Sequence, residues 1–187
     1  KLKKYITNLL NNVDVMIISD YAKGVCSFKV VEHAIHTAKN RAIPIIVDPK
    51  GNDFSKYKGA NCITPNTKEA QEVTPFEIDS EESFERAVSW MSENFDIDVS
   101  IITRGEDGMV LFDNNEIIRI PTVAQEVFDV SGAGDTVVAT LAVCIGLGMT
   151  YKTAAKVANT AAGIVVSYIG TYPVDIESLT ATLNKVK

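Results

Sequence analysis

Phe128-Asp129-Val130-Ser131-Gly132-Ala133-Gly134-Asp135-Thr136 places three small residues directly before an acid, and an Ala-, Val- and Leu-rich stretch follows at once. The spacing predicts a helix over 133–147. Gly132, Ala133 and Gly134 carry little or no side chain, so a ligand can approach their backbone N–H groups closely. Those groups would form the first turn of the helix, where unpaired N–H groups bind anions. Asp135 would then stand where negative charge collects, and a carboxylate there can take a proton from an attacking hydroxyl. The same residues also read as an ordinary Gly-rich turn with a solvated acid, and spacing alone does not separate the two. The stretch is not a Walker A loop, because no Gly-Lys-Ser/Thr follows. Nor is it a dinucleotide fingerprint, because Val137 stands at the third glycine position.

Outward from this turn, strand and helix patterns alternate along the chain. The alternation predicts an α/β three-layer sandwich, a mostly parallel central sheet with helices on both faces. Residues 13–19, 44–48 and 99–103 are apolar runs without alternation, as fully buried strands require, and 61–64 is a shorter one. Apolar spacing predicts helices over 28–41, with Ser27 as cap, and over 80–95, with Ser80 as cap and acids in the first turn. Further helices are expected from 67 and over 150–168 and 175–185. Residues 109–113 and 116–121 form a hairpin across Asn114-Asn115, a pair that tolerates left-handed backbone. No repeat, low-complexity tract or linker interrupts 1–187, which therefore reads as part of one domain. Asp20, Asp48, Asn66, Thr103-Arg104-Gly105 and Asp129 stand at the ends of predicted strands. Open α/β sheets bind ligands beyond those carboxyl ends, so one shared cleft is expected.

Composition narrows the function classes. Of 187 residues, 46% are hydrophobic and 22% charged, as in ordinary globular proteins. The net charge of −6 and the absence of basic runs longer than Lys3-Lys4 argue against nucleic acid as a partner. The apolar runs are too short to span a bilayer, so no membrane partner is expected. Cys26, Cys62 and Cys144 form no C-x-x-C pair, which fits a reducing, cytoplasmic setting. His33 and His36 lie three apart on a predicted helix without further ligands beside them, and read as surface residues.

Several other residues stay open on their own evidence. Asn66 and Glu69 lie one helical turn apart and could hold a hydrated Mg²⁺, or could simply cap the helix. In Thr103-Arg104-Gly105-Glu106-Asp107-Gly108, Thr103 and Gly105 could face a nucleotide, but the stretch also suits a plain β-turn. Asn159 is either a ligand contact or a helix-interior Asn with a local bond. Asp20, Lys23 and Lys50 stand at strand ends, where either lysine could meet a phosphate or merely be solvated.

The 129–136 stretch resembles the C-terminal signature of the ribokinase-like carbohydrate kinases, D-T-x-G-A-G-D, with Val130 in place of the usual Thr. The resemblance implies ATP-dependent phosphorylation of a small sugar, with Asp135 as catalytic base and Gly132, Ala133 and Gly134 as the anion hole. It implies that Asn66 and Glu69, in an Asn-x-x-Glu signature, orient Mg²⁺ and the nucleotide phosphates. Thr103, Gly105 and Gly108 would line the ATP site and Asn159 would lie beside adenine. A monovalent cation such as K⁺ is implied at Asp129 and Ser131, with carbonyls near Val165, Tyr168 and Gly170. It also implies an N-terminal portion, absent here, holding the first strands, a lid sheet that often mediates homodimers, and a sugar loop. The opening Lys1-Leu2-Lys3-Lys4 is accordingly read as the start of the C-terminal part.

Ser19-Asp20-Tyr21-Ala22-Lys23-Gly24 and Asp48-Pro49-Lys50-Gly51 resemble the heptose-7-phosphate kinase branch of that family. The branch implies a sugar phosphate acceptor, D-glycero-β-D-manno-heptose 7-phosphate of lipopolysaccharide-core synthesis, phosphorylated at its anomeric hydroxyl. Asp20, Lys23 and Lys50 would contact it. Many members of the branch carry a following nucleotidyltransferase domain with a His-x-Gly-His motif, which neither histidine here fits. Two other readings stay open: a ribose- or fructose-type acceptor, and a nucleotide-binding fragment without turnover.

Overall fold

A computed structural model describes residues 1–124 and 127–185. Six strands form one sheet in the order of the chain: β1 (Met16–Ser19), β2 (Ile45–Asp48), β3 (Cys62–Ile63), β4 (Val99–Thr103), β5 (Met109–Asp113) and β6 (Glu116–Ile120). The first four run parallel, and β5 and β6 fold back as an antiparallel hairpin. Asn114 and Asn115 carry φ of 49° and 62°, the left-handed pair that a tight hairpin turn demands.

Because spatial order follows chain order, right-handed crossovers place every intervening helix on the same face. There α1 (Leu2–Leu9), α2 (Phe28–Lys39), α3 (Thr67–Val73) and α4 (Glu81–Phe95) pack together. The other face is covered by α5 (Ala133–Gly146) and α6 (Tyr151–Val165), with α7 (Ile176–Lys185) beside α6. Alternation along the strands feeds both layers. Ile45 and Val47 of β2 enter the first core, and Ile46 enters the second. Each such fully buried side chain contributes about 1.5–3 kcal/mol. The buried Ser100 of β4 is satisfied by Ser92 of α4 at 2.9 Å.

Three expectations change. The strand predicted over 13–19 is paired only over β1, and Ile17 is 42% exposed rather than buried. β1 is the outermost strand, bonded to β2 alone, so one edge and part of one face lack cover among the described residues. Ser27 stands at the N-cap of α2, but its side chain makes no capping bond. Ser80 does cap α4, in a box closed by Ser83.

Candidate active site

The parallel strands end at one cavity of about 240 Å³, lined by residues that the sequence places far apart: Asp20 and Tyr21 after β1, Asp48 and Lys50 after β2, Asn66 and Glu69 after β3, Thr103 of β4, and Gly132, Gly134 and Asp135 at the start of α5. A more apolar cavity of about 320 Å³ shares Thr103 and Gly134 with it and reaches Gly105, Gly108 and Asn159. A parallel bridge between Asn66 and Thr103, with Thr103 N–H on Pro65 O at 3.0 Å, locks the two strand ends in register.

Gly132 is the N-cap of α5, and its φ of +80° turns the chain into the helix without a side-chain capping bond. Ala133 N–H donates to Val130 O at 3.2 Å, so one of the three expected anion-hole amides is already occupied. The first-turn N–H groups of Gly134 and Asp135 have no intrahelical acceptor. A Cβ added at Gly134 would meet no atom within 4 Å, and its φ is not positive, so nothing in the protein requires glycine there. The Asp135 carboxylate is exposed to the cavity and accepts a hydrogen bond from Tyr21 Oη at 3.3 Å.

Asn66 and Glu69 form a reciprocal capping box on α3. Asn66 Oδ1 accepts from Glu69 N–H and Glu69 Oε2 from Asn66 N–H, each at 3.0 Å. The cap leaves Glu69 Oε1 directed into the cavity, where Lys50 Nζ lies 2.7 Å away. Capping and ion binding are thus compatible: one carboxylate oxygen serves each. Asp48, hydrogen-bonded by Ser19 Oγ at 3.4 Å, has its pKa pushed up to about 6, by burial first and then by the charges of Glu69 and Asp135.

Asp20 is 4% exposed, and its oxygens are committed to the protein. Oδ1 accepts from Ala22 N–H at 2.8 Å, and Oδ2 from Lys56 Nζ at 2.5 Å and Tyr57 Oη at 2.7 Å. Burial raises its pKa, but these three bonds outweigh burial and hold the carboxyl below its usual range. Asp20 therefore shapes the wall more than it offers a free ligand. Lys23 is exposed and lies outside the residues lining either cavity, so it is not brought to the cleft. Between them, Ala22 takes a positive φ of 53° and its N–H donates to Asp20 Oδ1.

Thr103 and Gly105 line the apolar cavity. Gly108 lines it too, but a Cβ there would sit 2.1 Å from Ile120 O, so packing against the hairpin already requires glycine. Asn159 is 5% exposed and donates to Pro121 O at 2.8 Å, a long-range bond rather than a local helical one. Asp129 bridges two segments beneath α5: Oδ1 accepts from Ser131 N–H and Oδ2 from Gly170 N–H, each at 2.9 Å. The Ser131 side chain first, and then these two N–H groups, keep its carboxyl below the ordinary range. Of the carbonyls expected near it, Val165 O already accepts from Tyr168 N–H at 3.1 Å. Tyr21 and Asp48 were absent from the residues assigned a role by the sequence. Asp48 was visible as a strand-end acid, whereas nothing in the pattern marked Tyr21 as a neighbour of Asp135.

The pattern of the pfkB family carbohydrate kinases matches residues 1–178. The chain belongs to that family. Among curated pfkB relatives, it is 47% identical over 172 residues to the bifunctional protein HldE of Gluconacetobacter diazotrophicus, covering 91% of this chain and 36% of that protein. It is 44% identical over 187 residues to the bifunctional protein HldE of Aliarcobacter butzleri, covering 98% of this chain and 38% of that one. The chain thus spans little more than a third of those relatives. The pfkB fold is also evident from solved structures. Phosphofructokinase-2 of Escherichia coli, in complex with potassium, superposes with a TM-score of 0.85 at 16% identity, over 98% of this chain and 62% of that one. The ribokinase of Arabidopsis thaliana, complexed with ribose and ATP, gives 0.83 at 22% identity, over 95% and 58%.

Proposed function

We propose that this chain is the nucleotide-binding and catalytic part of an ATP-dependent sugar kinase whose acceptor is a heptose 7-phosphate, phosphorylated at the anomeric hydroxyl. One observation carries the reading: Asp135 and the uncapped first turn of α5 face the same cavity as Asn66, Glu69 and Lys50. The heptose assignment draws on the resemblance of the Ser19–Gly24 and Asp48–Gly51 segments to that branch, and on the identity with the HldE proteins. A cytoplasmic setting, where ATP and reduced thiols are available, belongs to the same reading.

In this mechanism Asp135 accepts the proton of the anomeric hydroxyl as its oxygen attacks the γ-phosphorus. The bond from that phosphorus to the β,γ-bridging oxygen breaks and ADP leaves. The N–H groups at the start of α5 stabilise charge on the transferred phosphoryl group, and the apolar cavity receives the base. The Glu69 carboxylate and the Asn66 amide oxygen are donors of the kind Mg²⁺ takes, and the Lys50 ammonium at Glu69 Oε1 supports a cation there. Glu69, with Asn66 beside it, would hold that ion through water; when bound it neutralises triphosphate charge.

The test is ADP release with ATP·Mg²⁺ and heptose 7-phosphate, ribose or fructose 1-phosphate, on the chain and on any longer polypeptide containing it. Turnover with heptose 7-phosphate alone is the expected result. Turnover only with another sugar would keep the kinase and discard the acceptor. ATP binding without any turnover would reduce the chain to a nucleotide-binding unit.

A further inference from the structure

The cavity at the strand ends has a charge problem. Four carboxylates line it, from Asp20, Asp48, Glu69 and Asp135, against a single cation, Lys50. Lys56 neutralises Asp20 from the side at 2.5 Å and is not itself a lining residue. Such a cleft repels polyanions unless cations are supplied, and the one it owns is committed to Glu69 Oε1.

Lys50 combines an anchored backbone with an exposed side chain. Its backbone is anchored by the fully buried Tyr57: Lys50 N–H donates to Tyr57 Oη at 3.1 Å, and that hydroxyl approaches Lys50 O at 3.4 Å. Its side chain is 51% exposed, while that of its partner Glu69 is 9% exposed and fixed by the capping box. A flexible stem on a fixed pivot therefore meets an immobile carboxylate oxygen. That oxygen is also the one the cap leaves free for a metal.

We propose that Lys50 is an exchangeable counter-cation. It occupies Glu69 Oε1 until hydrated Mg²⁺, held there through water, displaces it, and its released ammonium then binds a phosphate oxygen in the same cavity. Metal and phosphate binding are thereby coupled through one side chain, and linkage makes the coupling equal in both directions. The inference rests on the proposed placing of Mg²⁺ at Glu69, and it deepens that reading by giving Lys50 a role in both states.

The experiment measures Mn²⁺ binding directly by electron paramagnetic resonance, without turnover, in the presence and absence of inorganic phosphate. In the unaltered protein, phosphate should tighten Mn²⁺ about fivefold or more. Lys50→Met should bind Mn²⁺ about fivefold tighter without phosphate, because its competitor is gone, and should lose the phosphate effect. Lys50→Arg should keep part of the coupling, and thermal melts of both variants should match the parent. Repeating the titration with a non-hydrolysable ATP analogue and with heptose 7-phosphate identifies which phosphate the ammonium meets; coupling to either supports the exchange. If Glu69→Gln abolishes Mn²⁺ binding while Lys50→Met leaves both affinity and coupling unchanged, the exchange is wrong and the metal placement stands. If Glu69→Gln has no effect, both are wrong.

Discussion

Tyr21 Oη lies 3.3 Å from Asp135 Oδ1, joining the loop after β1 to the start of α5 across 114 positions of sequence. The bond leaves one Asp135 oxygen available to the cavity and orients it. A carboxylate acting as general base contributes about 10²- to 10⁴-fold to rate. Asp135→Asn should therefore lower turnover by two orders of magnitude or more while nucleotide affinity, measured by calorimetry, stays within a fewfold of the parent. Tyr21→Phe removes only an orienting bond, and a two- to tenfold loss of turnover, about 0.5–1.5 kcal/mol, is expected. Near-normal turnover of Asp135→Asn would remove that residue from the mechanism.

Two glycines at the cleft separate ligand demands from packing demands. Gly134→Ala adds a methyl group into open space in a helical first turn. Alanine is the better helix former by up to about 1 kcal/mol, so the variant should be as stable as the parent or more so. The same methyl group would stand against a phosphoryl group at the Gly134 amide, and turnover should fall by about 100-fold. Gly108→Ala should show the reverse order of effects. Its Cβ would lie 2.1 Å from Ile120 O at a φ of +82°, so stability should fall by more than about 1 kcal/mol before any effect on ligand is considered. Chemical denaturation and steady-state assays on the pair decide the matter; a destabilised Gly134→Ala would contradict the open space seen here.

Much of this site was legible because the chemistry stands at strand ends. Ile45, Ile46 and Val47 form an apolar run because both faces of β2 are covered, and the acid that ends the run necessarily emerges at the carboxyl edge. The same logic placed Asn66 and Thr103. It failed at β1, because an apolar run does not reveal whether both faces of an edge strand are covered; Ile17 is 42% exposed there. It does not separate the lysines. Lys23 and Lys50 look alike in sequence, but Lys23 is exposed and lines neither cavity, while Lys50, its N–H bonded to Tyr57, lines the cleft. Lys56, the actual partner of Asp20, arrives from a turn 36 residues later that no periodicity marks.

Asp48 gives the metal-free protein a pH dependence of defined sign. Its pKa is raised from 3.8 to about 6, by burial and by Glu69 and Asp135. The folded state therefore binds this proton more tightly than the unfolded chain, and the stability so gained is present below about pH 4 and lost as pH rises through about 6. Asp48→Asn removes the cost of holding the charge. In EDTA it should be more stable than the parent by about 1–2 kcal/mol at pH 7.5, with the advantage gone near pH 4. Urea denaturation at the two pH values measures this. An equal difference at both would show that Asp48 acts through packing and not through its charge.

Asp129 ties the start of α5 to the segment after α6 through Ser131 and Gly170, so whatever settles that segment also settles the amides of Gly134 and Asp135. A monovalent cation is the expectation the resemblance raises for this place, and the Asp129 carboxylate, which accepts from two N–H groups, would supply negative charge beside it. ADP release should accordingly be about fivefold faster in potassium chloride than in sodium or choline chloride at equal ionic strength. Asp129→Asn keeps the shape and an acceptor for one N–H but removes the charge, so it should be slower in potassium and insensitive to which salt is present. Equal rates in all three salts for the parent would mean that Asp129 serves only as a tether. A potassium effect that persists in Asp129→Asn would place the cation elsewhere.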